Sequence, residues 1–169
     1  GPDLLVAPVF EPGASERELY LPVDATTSAW CEFDTGFWHA AGQRVRVAAP
    51  LGRLPLFVRA GAVIPTADVG EGARATEEPS RVLRAFPTPA GRTSQSRPGT
   101  WIEDDGMTHA WRDGDYLRAT LRTTSSEREV RLHVRRDAGR YVLPQAAISA
   151  CLPPGDARSL VVDATDLGV

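Results

Sequence analysis

The stretch Pro50–Pro65, PLGRLPLFVRAGAVIP, decides how the rest of the chain is divided. It holds two short apolar runs, Leu56–Val58 and Ala62–Ile64, of the kind that forms buried strands. Gly61 permits a sharp bend between them, in a conformation that a Cβ would strain. Arg59, set between two buried runs, requires a carboxylate or other hydrogen-bond partners. We predict one small β unit before this stretch and, beyond a polar linker, another after it.

The composition is that of an ordinary globular protein. The chain has 169 residues, 42% of them hydrophobic and 24% charged, with a net charge of −3. This charge gives no reason to expect nucleic acid or a membrane surface as partner, and no apolar run is long enough to span a membrane. No signal-peptide pattern is visible. Two free thiols favour a reducing compartment, so a cytoplasmic location is expected, with secretion left open. Cys31 and Cys151 are expected to be free, buried thiols, and no Cys/His spacing indicates a metal site.

The pattern of short alternating runs predicts an all-β protein made of two consecutive antiparallel β-sandwiches. The predicted division is 1–66 for the first sandwich, 67–81 for the linker and 82–169 for the second sandwich. Turn signals separate the runs every 8–12 residues or so, and no segment shows a helical period. The predicted strands are Asp3–Phe10, Arg17–Leu21, Trp30–Phe33, Gln43–Val47, Leu56–Val58, Ala62–Ile64, Val82–Phe86, Thr100–Asp104, Met107–Trp111, Tyr116–Thr123, Glu129–Arg135, Ala146–Leu152 and Leu160–Val162.

A carboxylate cluster, Glu103-Asp104-Asp105, is the most prominent chemical motif. It is open to three interpretations: acid–base catalysis, calcium binding, or a hairpin with Gly106 whose aspartates cap their own turn. On a strand, Glu103 and Asp105 would share one face about 7 Å apart, and so could not flank a glycosidic bond. The spacing also lacks the EF-hand pattern. We therefore favour a structural role for Asp104, Asp105 and Gly106.

The remaining candidates for chemistry are isolated side chains. No serine lies in a nucleophile elbow, and no glycine-rich loop precedes a helix. The tryptophans can form either core or a platform on which sugars stack. They are Trp30, Trp38, Trp101 and Trp111. From the residues alone we predict two β units without visible catalytic machinery, cofactor or metal.

Four segments, in order, resemble the C-terminal region of glycoside hydrolase family 31, the α-glucosidase and α-xylosidase family. They are the opening Gly1–Val9, the segment Tyr20–Gly36 with its YLP and W-x-x-F-x-T-G elements, the segment Ala49–Pro65 with FVRAG, and the EDDG hairpin that continues to Tyr116. The chain departs from the family pattern in a longer loop before Trp30, in Trp111 where tyrosine is usual, and in the tail beyond Val142.

The resemblance implies the proximal and distal β-sandwiches of such an enzyme without its catalytic residues. Family members carry their nucleophile and acid aspartates on an upstream (β/α)8 barrel, which would be the partner of this region and would perform retaining cleavage of α-linked sugars. On this interpretation the chain is inactive alone, and Arg59 and Gly61 are structural. A barrel-facing apolar surface would include Leu4, Val6, Phe10, Phe37 and Trp38, and would favour self-association if uncovered.

An alternative makes the distal sandwich a carbohydrate-binding module that contacts oligosaccharide through exposed Trp101 and Trp111. A free-standing enzyme is a third possibility. Buried tryptophans favour the supporting role, and exposed clustered tryptophans favour sugar binding.

Overall fold

The computed structural model of the protein describes residues 1–68, 80–90, 97–143 and 148–165. Within these ranges, the regular structure consists of strands and one four-residue 3₁₀ helix, Ala110–Asp113, which confirms the predicted all-β fold. No described helix is long and apolar enough to cross a membrane. The strands are β1 (Leu4–Val6), β2 (Glu16–Leu21), β3 (Ala29–Glu32), β4 (Trp38–Ala40), β5 (Gln43–Ala48), β6 (Leu56–Arg59), β7 (Ala62–Asp68), β8 (Ser80–Phe86), β9 (Gly99–Glu103), β10 (Leu117–Ser125), β11 (Glu129–Ala138), β12 (Ile148–Cys151) and β13 (Ser159–Thr165).

The first sandwich packs the sheet β1-β6-β3-β4 against the pair β2-β5. Strand β2 reads ERELYL, and its alternation turns Leu19 and Leu21 inward while Glu18 faces solvent. The core between the two layers contains Leu21, Trp30, Val47 and Phe57.

The second sandwich packs the sheet β13-β11-β10-β9 against the sheet β12-β8-β7. Alternation along β10 turns Leu117, Ala119 and Leu121 inward and leaves Arg118 and Arg122 exposed. The buried core consists of Val63, Leu83, Ala85, Trp101, Leu117, Ala119, Leu121, Leu132, Val134 and Leu143.

The stretch Pro50–Pro65 joins the two sandwiches because its strands enter different sheets. Strand β6 pairs with β1 and β3, whereas β7 pairs with β8. The predicted unit 1–66 places Ala62–Ile64 with the first sandwich, and their pairing places them in a sheet of the second. On β7, Val63 enters the second core, while Ala62 and Ile64 pack toward β3 and β6.

The predicted linker 67–81 overlaps these paired strands at both ends. Strand β7 reaches Asp68, and β8 begins at Ser80. The rest of the predicted linker, residues 69–79, lies outside the described residues. Hydrogen bonds between β7 and β8 therefore make both ends of the predicted linker part of the second sandwich.

Two pairings are parallel, against the expectation of purely antiparallel sandwiches. Strand β12 runs parallel to β8, and β13 runs parallel to β11. Parallel neighbours require a crossover connection, and β12, in the opposite sheet, lies on the path from β11 to β13. The physical cause is therefore the crossing of the chain between sheets, which alternation along single strands does not show.

The predicted strand Asp3–Phe10 is shorter and less buried than expected. Only Leu4–Val6 forms a strand, and Leu4 and Val6 are exposed. In its sheet, β1 is an edge strand that pairs with β6 alone. The exposure of Leu4 and Val6 shows that its outer face is open among the described residues.

Both cysteines are free, as predicted, but only Cys31 is fully buried. Its side chain lies in the apolar cluster with Val58 and Phe86. Burial first, and then the charges of Glu32 and Asp156, raise the pKa of the Cys31 thiol to about 12. This thiol is therefore a packing residue at neutral pH. Cys151 is half-buried, which corrects the expectation of two buried thiols.

Candidate functional site

Among the described residues, Arg59 is the largest fully buried side chain, with 2% of its surface exposed. Its Nε and Nη2 atoms both donate to Asp3 Oδ1, at 3.0 and 2.6 Å, and Nη1 donates to the carbonyl oxygen of Ala60 at 3.3 Å. The prediction of a paired arginine is confirmed. The partner lies just before β1, so the ion pair holds the start of β1 to the end of β6.

Gly61 connects the two sandwiches through its backbone. Its φ of 85° lies in the left-handed region, as predicted for a position that a Cβ would strain. Its N–H donates to the carbonyl oxygen of Phe86 at 2.7 Å, and its carbonyl oxygen accepts from Thr123 Oγ1 at 3.3 Å. The bend after Arg59 is therefore hydrogen-bonded to two strands of the second sandwich.

The side chain of Glu103 holds two core groups in place. Its Oε1 accepts from Arg81 Nε at 2.6 Å, and its Oε2 accepts from Trp101 Nε1 at 2.8 Å. Both carboxylate oxygens are thus committed to structural partners, and β9 ends at this residue.

The two aspartates that follow cap the turn, as the favoured interpretation predicts. Asp104 Oδ1 accepts from the N–H of Gly106 at 2.8 Å. Asp105 accepts from the hydroxyl of Thr108 at 2.5 Å and from the N–H groups of Met107 and Thr108. Hydrogen bonds from Thr108, and then from Met107, hold the pKa of Asp105 below its usual value. Within the described ranges, no group of three or more His, Cys, Asp and Glu side chains is arranged to hold a metal ion.

The strand predicted over Met107–Trp111 is wrong. This segment turns and enters the 3₁₀ helix Ala110–Asp113, and the antiparallel partner of β9 is β10. The cause is local: Thr108 Oγ1 accepts from the N–H of Ala110, and Gly114, at φ 91°, closes the helix with N–H bonds to Ala110 and Trp111.

The tryptophan pair proposed for carbohydrate contact does not face solvent together. Trp101 is 3% exposed and lies in the second core, so this part of the hypothesis is wrong. Its indole N–H is bound to Glu103, which explains why an inward position is tolerated. Trp111, on the 3₁₀ helix, is 46% exposed.

A polar cluster that sequence reasoning missed surrounds Glu32 at the end of β3. His39 Nε2 and Arg53 Nη2 each lie 2.9 Å from a Glu32 oxygen, and the Thr35 hydroxyl donates at the same distance. Burial raises the pKa of Glu32, but the bonds from His39 and Thr35 and the charges of His39 and Arg53 outweigh it, and the net shift is downward. The partners are up to 21 positions apart, so no local motif indicates them.

A cleft of about 580 Å³ lies where the β3–β4 turn meets the loop before β13. Its floor includes a nearly buried ion pair, with Arg158 Nη2 2.5 Å and Nε 2.9 Å from the oxygens of Asp156. Arg158 also donates to the carbonyl oxygen of Thr88 at 3.1 Å. The two charges neutralise each other, and the hydrogen bond from Arg158 to Thr88 fastens the loop before β13 to the chain after β8.

The described structure therefore defines an all-β region of two sandwiches, in which the carboxylates singled out in sequence hold strands and turns. Residues 1–64 match the model of the glycosyl hydrolase family 31 C-terminal domain. The chain is 31% identical over 138 residues to an α-xylosidase of Saccharolobus solfataricus, and 29% identical over 143 residues to α-glucosidase 2 of Bacillus thermoamyloliquefaciens. These alignments cover 80% and 83% of this chain but 17% of each relative.

Comparison with solved structures points to the same family. The α-xylosidase of Xanthomonas citri superposes with a TM-score of 0.66 at 33% identity, over 93% of this chain and 16% of that protein. The chain belongs to glycosyl hydrolase family 31 and corresponds to the non-catalytic C-terminal β-sandwich region of its members.

Proposed function

We propose that this chain supports an upstream catalytic (β/α)8 barrel of the same polypeptide, in an enzyme that cleaves α-linked sugars with retention. The similarity to an α-glucosidase and an α-xylosidase supports the sugar class, and the 17% coverage of each relative supports a much larger parent. The role of the sandwiches is to cover an apolar flank of that barrel and to stabilise it.

The exposed outer face of β1 carries this proposal. Leu4 pairs in register with Val58, and Val6 with Leu56, so these four side chains point to one face of the sheet. Near β3 this face is covered by Phe86 and other residues of the second sandwich. At β1, Leu4 and Val6 are exposed, and an edge strand with an apolar face is a natural docking surface.

The predicted barrel-facing residues do not all share that face. Phe10 and Phe37 are strongly exposed, whereas Trp38 is only half-buried and packs with the Cys31 cluster. Phe37 stacks edge-on against His39, which pairs opposite Trp30 on the other face of the sheet. The surface proposed for docking is therefore the outer face of β1, defined by Leu4 and Val6.

The test is co-purification of this chain with the separately expressed segment encoded upstream of Gly1. Wild-type chain should be retained, and Val6→Asp should lose retention because it places a charge on the docking surface. Val162→Asp is the matched control, since Val162 is 45% exposed and Val6 50%, and Val162 lies on β13 of the other sandwich. Equal retention of both variants, or an upstream segment with no barrel, overturns the proposal.

Self-association is the second outcome to measure. An uncovered β1 face predicts concentration-dependent dimers of the isolated chain in sedimentation velocity, and Val6→Asp should shift them to monomer. Dimers that persist in Val6→Asp would place the contact elsewhere on the molecule.

A further inference from the structure

A shallow depression of about 480 Å³ lies on the outer face of the second sandwich. Its floor is made by Ile102 on β9 and Arg118 on β10, which pair in register and point away from the core. The 3₁₀ helix brings Trp111 and Arg112 to one side, and Tyr116 lies beside them. The depression is thus assembled from two strands and a loop.

The apolar side chains of this depression are largely open to solvent. Ile102 is 65% exposed and Trp111 46%, and no residue of the 3₁₀ helix is buried. Exposure of large apolar side chains that line one concave surface is typical of binding sites.

The loop that presents Trp111 is held rigidly before any ligand arrives. Asp104 and Asp105 bind the N–H groups of the turn that follows them, and Gly114 closes the helix. The carbonyl oxygen of Gly114 accepts in turn from the N–H of Arg140 at 3.0 Å. A ring fixed in this way loses little conformational freedom on binding.

Two charged groups of the depression, Asp104 and Arg118, can reach a ligand, whereas Arg112 is stacked on Trp111. Within the described part of the chain, Arg118 has no carboxylate within 4 Å, although its charge helps to lower the pKa of Asp137 from farther away. The Arg112 guanidinium carbon lies 5.3 Å from the centre of the Trp111 ring, which is a cation–π contact. Arg112 therefore occupies one face of this ring, and a ligand has to stack on the opposite face. Asp104 binds Gly106 through Oδ1, so its second oxygen faces no described donor.

We propose that this depression binds an oligosaccharide of α-linked glucose units, with one sugar ring stacked on Trp111. The C–H face of a pyranose fits an aromatic ring, and a guanidinium fork matches a pair of neighbouring hydroxyls. Arg118 donates to these hydroxyls, and Asp104 accepts from them. The α-linkage rests on the proposed function, whereas the site itself rests on the geometry alone.

The experiment follows the tryptophan indole N–H signals of the full chain by NMR during titration with maltoheptaose. The Trp111 signal should shift and saturate. Trp30 and Trp101 are internal controls, because their indole N–H groups are bound to Pro22 and Glu103. Trp111→Ala and Arg118→Ala should each weaken binding at least tenfold.

Matched variants separate the site from general effects of substitution. Met107→Ala changes an exposed side chain of the same loop outside the depression, and Arg122→Ala changes an exposed arginine of the same strand outside it. Both should bind as wild type does, and all four variants should keep the wild-type melting temperature within a few degrees.

Three results overturn the inference: no indole shift with maltoheptaose, unchanged affinity in Trp111→Ala and Arg118→Ala, or binding of cellohexaose in preference to maltoheptaose. Failure of the barrel proposal shows itself separately, since co-purification depends on Val6 and not on Trp111. Maltoheptaose binding that persists when co-purification fails leaves the sugar site standing on its own.

Discussion

Arg59 and Asp3 form an ion pair across 56 positions of sequence, with 2.6 Å between Nη2 and Oδ1. The pair is asymmetric, because the Arg59 side chain is 2% exposed and that of Asp3 21%. The arginine depends on its partner more than the aspartate does, because an unpaired Asp3 can regain water and an unpaired guanidinium at position 59 cannot.

This asymmetry predicts unequal effects on stability. Asp3→Ala, which leaves the guanidinium buried and unpaired, should lower the free energy of unfolding by about 3–5 kcal/mol. Arg59→Met removes the charge and keeps an apolar stem, so it should lower the free energy of unfolding by less than Asp3→Ala does. Arg59→Ala adds a cavity and should again lower the melting temperature. Urea unfolding measures all three. Arg46→Ala, an exposed residue of β5 with contacts of 3.7 Å, is the control. A melting temperature unchanged in Arg59→Ala would mean that the side chain is merely solvated.

Two glycines lie in contacts that a methyl group would break. A Cβ on Gly36 would lie 2.1 Å from the carbonyl oxygen of Pro154, and one on Gly139 would lie 1.7 Å from that of Tyr116. Both also have positive φ, at 73° and 84°. Gly36→Ala and Gly139→Ala should therefore cost more than the 1–2 kcal/mol or so of left-handed backbone strain.

Gly52→Ala is the matched control for this prediction. Its φ is 93°, and nothing lies within 4 Å of the position that a Cβ would take, so the strain acts alone. In thermal melts, Gly52→Ala should have a higher melting temperature than Gly36→Ala and Gly139→Ala. Gly61→Val should also melt early, since its φ of 85° disfavours a branched side chain. Equal melting temperatures for Gly36→Ala and Gly52→Ala would show that the Pro154 contact yields at little cost.

The isolated chain should hydrolyse no chromogenic α-glucoside. Glycosidic cleavage uses two carboxyl groups that flank the bond, and Glu103 and Asp105 are instead engaged with Arg81, Trp101 and Thr108. The assay compares wild type with Glu103→Gln and Asp105→Asn. Turnover by wild type that disappears in either variant would falsify the non-catalytic role.

Much of the fold follows from local pattern, because alternation records which side of a strand is buried. Strands β10 and β11, LRATLRTTS and EVRLHVRRDA, are long enough for the period to be unambiguous. The need of Arg59 for a partner also follows from its neighbours. That the partner is Asp3 does not, because the pairing depends on the register of β1 with β6.

The failures share a physical cause. Trp101 and Trp111 look equivalent in sequence, but the strand alternation of β9 turns one inward, and the Thr108 and Gly114 contacts curl the other into an exposed helix. The parallel position of β12 beside β8 depends on a crossover of the chain, which single-strand patterns do not carry.

Acid should weaken the contact that the Asp156–Arg158 pair makes with the chain after β8. Hydrogen bonds from the Arg158 side chain lower the pKa of Asp156. Burial raises this pKa, while the hydrogen bond from the Arg158 backbone N–H and the charge of Arg158 lower it further. A carboxyl whose pKa is lower in the folded state contributes stability above its unfolded pKa of about 3.9 and loses it as pH falls through the folded pKa. The stability difference between wild type and Asp156→Asn should therefore be constant from about pH 7 to 5 and shrink below about pH 4.

Glu32, whose pKa is also lowered, is present in both proteins and cancels in the comparison. Asp163→Asn removes an exposed carboxylate of β13 that pairs with Arg131 at 3.2 Å, and it controls for loss of an exposed ion pair. Urea unfolding at a series of pH values measures the difference, and a gap that widens toward pH 3 would contradict the assignment of the stabilising state to the ionised carboxylate.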